Sequence, residues 1–308
     1  LLNFSETFAT TGGTNNNWAD TNLTRTSTNN TSPRNDATAL QLTASAANGT
    51  IISSAAIGTS AARTLSVWLR RVTGTGNIQY TLDNGSTYTT QAITAVWVRY
   101  TFATTTAAQR VGFRIVTSAD AIEIWGAQLE TGTGASSYIP TTTAQVTRAK
   151  DVCTMSGTNF TSWFNNTEGT VLFIGNNTIV PAASGFPANW ALINAANSSR
   201  ITQYTRHTTG RIGASCRDSG GGALTFDSPA ATTAILTTAE YKTAFALKSS
   251  DFAYSVNGAA VGLGDGVGVF ETVASLQFAR DGIRNGHIKC FKFWPTRLTN
   301  AQLIAIST

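Results

Sequence analysis

Short segments in which apolar and polar residues alternate recur along the chain from residue 63 onward. In the segment 64–70, the apolar residues Leu65, Val67 and Leu69 fall on one face of an extended strand. Comparable segments lie at 78–82, 97–102, 111–116 and 122–129, with weaker ones at 23–26 and 40–44. Asn84-Gly85 and Asn257-Gly258 supply the positive φ angles that tight hairpin turns need. The pattern predicts an all-β protein built from sandwich or jelly-roll sheets.

The alternation lapses between Glu130 and Asp151 and resumes in the second half of the chain. The segment between them is rich in Thr, Gly and Ser, and we expect its Tyr138-Ile139-Pro140 to dock against one of the domains. A length of 308 residues accommodates two domains. We therefore predict a first β-sandwich at 1–130, a linker at 131–151 and a second β-sandwich at 152–308. One short C-terminal helix is predicted, because Thr299 and Gln302 have the spacing of a capping box.

The composition argues against several classes of protein. With 42% hydrophobic and only 12% charged residues, the chain does not have the composition of a disordered protein. It has no apolar run of the length that a spanning helix needs, so we expect no membrane insertion. The net charge of +5 is scattered along the chain without a basic cluster, so we expect no nucleic-acid partner. The chain begins Leu1-Leu2 and its single methionine is Met155, which is expected of a processed product or of part of a longer polypeptide.

The carboxylates do not have the arrangement of a glycosidase. A retaining enzyme of that kind needs two carboxyl groups close together, one as nucleophile and one as acid. Asp218, Asp227 and Glu240 lie in the second half, but a Gly-rich loop and Thr-rich segments separate them. We interpret them as solvated loop carboxylates and predict that the chain is not an enzyme.

Metal and cofactor signals are weak. His207 and His287 have no acidic or cysteine ligand at metal-like spacing, so a structural hydrogen bond is the favoured role of His287. We expect no cofactor, while a structural calcium ion held by loop oxygens stays open, with Asp83 and Asp265 as candidate ligands. The three cysteines are scattered and are interpreted as buried thiols of a protein made in a reducing compartment, with one bonded pair left open.

The tryptophans give the most informative candidates. Sugars stack on Trp or Tyr rings while polar side chains fix their hydroxyl groups, so a glycan site needs an aromatic ring that points away from the core. Alternation turns both Trp68 and Trp125 outward. By the same counting the full set of glycan-binding or interface candidates is Trp68, Arg70, Arg114, Glu123 and Trp125. The competing interpretation is that the N-terminal segment, the second domain or a neighbouring subunit covers this surface.

The segment 126–132, Gly-Ala-Gln-Leu-Glu-Thr-Gly, is followed by Ser137-Tyr138-Ile139-Pro140-Thr141 and by 146–151. Together these residues resemble a junction found in many virion proteins of tailed bacteriophages. In that family the module before the junction is similar to a carbohydrate-binding-module jelly roll, to which Trp97-Val98-Arg99-Tyr100 corresponds. The module after it is similar to a concanavalin- or laminin-G-like sandwich, and this chain matches it at 163–164, 168–170, 285–289 and 295–303.

The resemblance implies a structural protein of the virion, such as a tail fibre, an appendage or a head decoration, assembled in the cytoplasm of the host bacterium. It also implies other virion proteins as partners, a homo-oligomer that is commonly a trimer, and host surface glycans as possible ligands. The alternative from another class is a glycan-binding fragment of a secreted polysaccharide-degrading enzyme, which would share both modules. The junction after Gly126 favours the virion protein.

Overall fold

The computed structural model describes residues 5–6, 8, 18–27, 30–54, 62–74, 77–104, 110–132, 134–142, 144–147, 151, 153–177, 188–198, 200–205, 212–217, 223–227, 239–264, 272–280 and 286–308. The chain divides into two compact units, Leu1–Arg148 and Ala149–Thr308. Both are built from antiparallel sheets, so the predicted all-β class is confirmed. Neither helix in the described part of the chain is long and apolar enough to cross a membrane.

The first unit is a sandwich of two five-stranded sheets. Its strands are β1 (Trp18–Thr21), β2 (Leu23–Thr26), β3 (Leu40–Ala44), β4 (Gly49–Ser53), β5 (Arg63–Thr73), β6 (Ile78–Thr81), β7 (Thr89–Gln91), β8 (Val98–Thr104), β9 (Gly112–Ile115) and β10 (Ala121–Thr131). One sheet has the order β1-β4-β9-β6-β7 and the other has the order β2-β3-β10-β5-β8. Leu65, Val67 and Leu69 of β5 are fully buried between the sheets, as the alternation predicts.

The second unit also consists of two sheets. Its elements are β11 (Cys153–Ser156), α1 (Thr158–Thr161), β12 (Glu168–Gly175), β13 (Ala188–Ile193), β14 (Arg200–Thr205), β15 (Ile212–Arg217), β16 (Ala223–Asp227), β17 (Tyr241–Lys248), β18 (Phe252–Val256), β19 (Gly262–Gly264), β20 (Ser275–Phe278), β21 (Ile288–Trp294) and α2 (Asn300–Ser307). The sheet orders are β11-β20-β13-β14-β15-β16 and β19-β18-β17-β12-β21. Large side chains from both sheets, among them Trp190, Phe173, Phe245 and Tyr254, form the core.

The C-terminal helix α2 lies where the sequence predicts it. Gln302 donates its backbone N–H to the Thr299 hydroxyl at 3.3 Å, and its side chain accepts the Thr299 backbone N–H at 2.8 Å. This capping box fixes the first turn of the helix. Leu303 then packs against Ala244, Ala246 and Ala253, which form the outer surface of β17 and β18. The four-residue helix α1 is not anticipated by the sequence analysis.

The prediction that all three cysteines are buried thiols is wrong for two of them. No disulfide joins Cys153, Cys216 and Cys290, but only Cys216 is buried, whereas Cys153 is exposed and Cys290 is partly exposed. Cys153 lies on β11, an edge strand whose four residues are all exposed, so its position in the sheet accounts for its exposure.

Candidate functional site

Four of the five predicted site residues lie together on the outward face of the first unit. Strands β5 and β10 are antiparallel neighbours, and their register places Trp68 opposite Trp125 and Arg70 opposite Glu123. Arg99 of β8 lies opposite Trp68 on its other side. We name the outward side chains of Trp68, Arg70, Trp97, Arg99, Glu123 and Trp125 the tryptophan face.

Arg114 lies outside this group, because outward side chains share a surface only where their strands are neighbours in one sheet. It belongs to β9, which pairs with β4 and β6 in the opposite sheet. There its guanidinium donates to Gln79 Oε1, with Nε at 2.7 Å, and stacks 3.7 Å from the centroid of the Tyr88 ring. Alternation gives the direction of a side chain within its strand, but it does not say which sheet the strand joins.

The centre of the tryptophan face is covered by the chain itself. The ring of Tyr138 lies over both tryptophans, with centroid distances of 5.1 Å to Trp68 and 4.9 Å to Trp125. Arg34 stacks 4.8 Å from the Trp125 ring centroid, and the Trp125 indole donates to the Thr38 hydroxyl at 2.9 Å. Trp125 is therefore only 1% exposed. It points away from the core, as expected, but it offers no open ring to a ligand.

Hydrogen bonds from β10 and from Ser5, near the start of the chain, hold the segment that carries Tyr138. We call residues 134–142 the strap. Gln128 of β10 accepts the Ile139 N–H at 2.7 Å and donates to the Ser137 carbonyl at 3.2 Å. The Ser5 hydroxyl accepts the Thr141 N–H at 2.8 Å and lies 2.7 Å from the Tyr138 hydroxyl. The segment expected to be a linker is thus packed onto the first unit through its strap.

Gly126 makes room for the strap. The register of β10 against β5 shifts between Trp125 and Gln128, which marks a β-bulge. Gly126 sits in this bulge with φ of +64°, a conformation that favours glycine. A Cβ at this position would lie 2.9 Å from Trp68 Cε3 and 3.3 Å from Tyr138 Cε2. The backbone therefore passes beneath the two rings because this residue has no side chain.

Charged groups surround the tryptophans and are themselves paired. Arg70 forms an ion pair with Glu123, which is only 5% exposed, and its guanidinium stacks 4.9 Å from the centroid of Trp97. Arg99 stacks 4.7 Å from Trp68 and donates to the Ser66 hydroxyl and the Ser136 carbonyl, each at 2.8 Å. Burial lowers the pKa of Arg99, although the Glu130 carboxylate opposes that shift. The periphery of the face is a network of cation–π and ion-pair contacts.

Asp83, a predicted calcium candidate, has its oxygens engaged inside a turn. Its Oδ1 accepts from the Thr81 hydroxyl at 2.8 Å and the Thr87 N–H at 2.9 Å, and its Oδ2 accepts from the Thr87 hydroxyl at 2.6 Å. Burial alone would raise the pKa of Asp83, but these hydrogen bonds lower it overall. Asp265, the other candidate, lies outside the described residues. Across the part of the chain that the structure describes, no three His, Cys, Asp or Glu residues form a metal-binding group.

The second unit has an open depression that the sequence analysis did not single out as a site. It has a volume of about 330 Å³ and is lined by Gly175, Asn176, Glu240, His287, Ile288 and Lys289, and we call it the polar depression. Strand β12 ends at Gly175, next to the starts of β17 and β21, because both neighbours run antiparallel to it. The ends of three neighbouring strands thus bring together residues that are far apart in sequence.

The polar depression contains one exposed ion pair and one interlocked pair of backbone segments. Lys289 Nζ lies 2.8 Å from Glu240 Oε2, with side-chain exposures of 67% and 42%. Asn176 donates its N–H to the His287 carbonyl at 3.0 Å, and its Oδ1 accepts the His287 N–H at 2.8 Å. The same Oδ1 is 3.2 Å from His287 Nδ1, within hydrogen-bonding distance of the ring.

Of the remaining candidates in the second half, His287 and Glu240 lie in the part of the chain that the structure describes. The backbone N–H and the Nδ1 atom of His287 both lie within hydrogen-bonding distance of Asn176 Oδ1, and Glu240 is an exposed carboxylate that is paired with Lys289. His207 and Asp218 lie outside the described residues, as does the side chain of Asp227. The adjacency of Asn176, Glu240 and His287 depends on strand order, and no signal in the sequence reports it.

No protein-family model matches the chain, and no curated protein matches it significantly. Among solved structures, the Ruminococcus gnavus IT-sialidase CBM40 is 17% identical over 47% of this chain and 84% of that one, with a TM-score of 0.37. The binding domain of botulinum neurotoxin serotype D is 12% identical over 52% and 40%, with a TM-score of 0.39. A NanB sialidase from Streptococcus pneumoniae is 15% identical over 49% and 26%, with a TM-score of 0.38. At these scores the likenesses carry no argument about function, which rests on the residues of the chain itself.

Proposed function

We propose that the chain is a non-enzymatic structural protein of a tailed-phage virion, a part of a tail fibre, an appendage or a head decoration. In this proposal its two β-sandwich units pack in symmetric copies among other virion proteins and contact glycans on the host surface. The observation that carries the proposal is the strap, because residues of the phage-like junction, Gln128 and Glu130 among them, hold it in place.

The residues of the junction act together to hold the strap. Gly126 leaves space for the Tyr138 ring, and Gln128 hydrogen-bonds on both sides of that residue. Glu130 accepts the backbone N–H of Ser136 at 2.9 Å and its hydroxyl as well. Gly126, Gln128 and Glu130 of the motif therefore all contact the strap. This interdependence supports a shared junction architecture.

Partnered carboxylates support a non-enzymatic role. Glu123 is buried against Arg70, and Glu240 is paired with Lys289. A general acid or base must reach the proton that it transfers, and Glu123 is shut off from a substrate. Trp125 and Glu123 of the tryptophan face are buried by intramolecular contacts, and the other four members of the face are partly buried. In our proposal the first unit is therefore a scaffold, and glycan contact belongs elsewhere on the chain.

The closed face also changes the argument for symmetric packing. Trp125 is buried by Arg34, Thr38 and Tyr138 of its own chain, so it needs no neighbouring copy to cover it. A trimer thus draws its support from the resemblance alone and stays part of the proposal.

A deletion in the phage genome tests the proposed function. Removing the coding sequence should lower the yield of complete particles or their adsorption to host cells, and supplying the chain from a plasmid should restore both. A phage that lacks the chain and yet assembles and adsorbs normally would contradict a structural role in the virion.

A further inference from the structure

We propose that the polar depression of the second unit is a binding site for a neutral saccharide unit with two adjacent free hydroxyl groups. This inference rests on the glycan-binding part of the proposed function and gives that binding a location. It follows from the shape of the depression, the rigidity of its base and the chemistry of its side chains.

The base of the depression is fixed before any ligand arrives. The end of β12 and the start of β21 are joined by the two hydrogen bonds between Asn176 and His287. Glycines allow this close approach: a Cβ on Gly286 would lie 2.0 Å from the Asn176 carbonyl oxygen, and one on Gly175 would lie 2.6 Å from the His287 carbonyl oxygen. A preformed base lowers the entropic cost of binding, which matters for a small polar ligand.

The ion pair supplies matched donor and acceptor groups. A hydroxyl group both donates and accepts, so one hydroxyl of a vicinal pair can donate to the Glu240 carboxylate while its neighbour accepts from the Lys289 ammonium group. The two charged atoms are 2.8 Å apart, and both side chains remain exposed. Because the pair is neutral overall, it favours a neutral polyol over a free anion or cation.

The size and the apolar part of the depression fit a single sugar unit. A volume of about 330 Å³ is at the lower end of the range for small-molecule sites. Ile288 lines the depression and is 41% exposed, so it offers an apolar surface to the C–H groups of a sugar ring. The tryptophan face is the weaker candidate, since Trp125 is 1% exposed.

The test uses the full chain on a printed array of neutral bacterial surface polysaccharides and on a duplicate array treated with periodate, which cleaves vicinal diols. The wild-type chain should bind at least one polysaccharide and lose that binding on the treated duplicate. Glu240→Gln and Lys289→Met should each weaken binding about tenfold or more, as expected for the loss of a charge-assisted hydrogen bond. Glu168→Gln is the matched control, because Glu168 forms a partly exposed pair with Lys248 at 3.5 Å in the same sheet. It should bind like wild type.

The outcomes distinguish an error in the location of the site from an error in the proposed function. If wild type binds and both depression variants bind equally well, the site is wrong while glycan binding stands. If binding survives periodate, the diol chemistry is wrong. If wild type binds no glycan, the glycan-binding part of the proposed function fails together with the site. Thermal unfolding of each variant, expected to match Glu168→Gln, excludes loss of binding through misfolding, and each of the two substitutions checks the other.

Discussion

Trp68 of β5 and Tyr138 of the strap meet edge to face, with their ring centroids 5.1 Å apart and their planes at 85°. Trp125 completes the cluster, since its ring lies 5.1 Å from Trp68 and 4.9 Å from Tyr138. Edge-to-face aromatic pairs contribute about 0.5–1.5 kcal/mol beyond the area that they bury. The strap is therefore part of the packing of the first unit. It covers the two tryptophans that the sequence predicts as the centre of a glycan-binding site.

Truncating Tyr138 tests this packing. Tyr138→Ala should lower the free energy of unfolding of the first unit by about 2–4 kcal/mol, because it removes a ring packed on two tryptophans. Tyr138→Phe keeps the ring and loses only the hydroxyl contacts to Ser5 and Glu6, at 2.7 and 3.1 Å, so it should cost about 0.5–1.5 kcal/mol. Urea unfolding followed by tryptophan fluorescence measures both values. Equal costs for the two variants would show that the ring contributes nothing.

A glycine substitution beneath the rings should act through steric overlap. Gly126→Ala places a methyl group 2.9 Å from Trp68 Cε3 and should destabilise the first unit by about 2–4 kcal/mol, the sum of overpacking and backbone strain. Gly132→Ala is the control, since Gly132 also has a positive φ, of +113°, but nothing lies within 4 Å of an added Cβ. It should carry the strain alone, about 1–2 kcal/mol. Thermal unfolding of the pair decides whether the rings require the glycine.

The loop that places Arg34 over Trp125 should respond to acid through Asp36. Hydrogen bonds from Ser32 and Thr38, assisted by the charge of Arg34, lower the pKa of Asp36 to about 2. A carboxyl group with a pKa below its unfolded value of 3.8 stabilises the fold above about pH 4, and that contribution is lost as the pH falls toward 2.

Carbon-13 NMR of the side-chain carboxyl groups measures the titration of Asp36 directly. Its midpoint should lie near pH 2 in the wild-type chain and move upward in Ser32→Ala, which removes the 2.6 Å hydrogen bond to Oδ1. A midpoint near 3.8 in the wild-type chain would mean that these hydrogen bonds do not hold the loop in solution.

Removing either partner of the Arg70–Glu123 ion pair should lower the stability of the first unit by a different amount. Arg70→Met strands the Glu123 carboxylate, whose side chain is 6% exposed, and should cost about 2–4 kcal/mol. Glu123→Gln leaves Arg70, whose side chain is 31% exposed and still stacks on Trp97, so a loss of about 1 kcal/mol is expected. Chemical denaturation of both variants gives the comparison. A larger loss for Glu123→Gln would show that the carboxylate is better solvated than its position implies.

Local patterns predicted the β class and the direction of individual side chains. Alternation turned Leu65 inward and Trp68 outward, and the structure places both accordingly. It could not say what covers an outward side chain, because Tyr138 and Arg34 reach Trp125 through tertiary contacts. Arg114 shows the same limit, since strand order alone places β9 in the other sheet. The polar depression was missed for this reason as well: Asn176, Glu240 and His287 meet only once three strand ends are aligned.

The most direct test of the central claim is the location of the chain after infection. Lysate from cells that produce the phage is separated on a density gradient, and each fraction is assayed for the chain by quantitative mass spectrometry and for polysaccharide-degrading activity. If the chain is a virion protein, it will sediment with intact particles at a constant ratio to the major capsid protein. Recovery of the chain only in the soluble fraction, together with polysaccharide-degrading activity, would contradict the account and favour the fragment of a secreted enzyme.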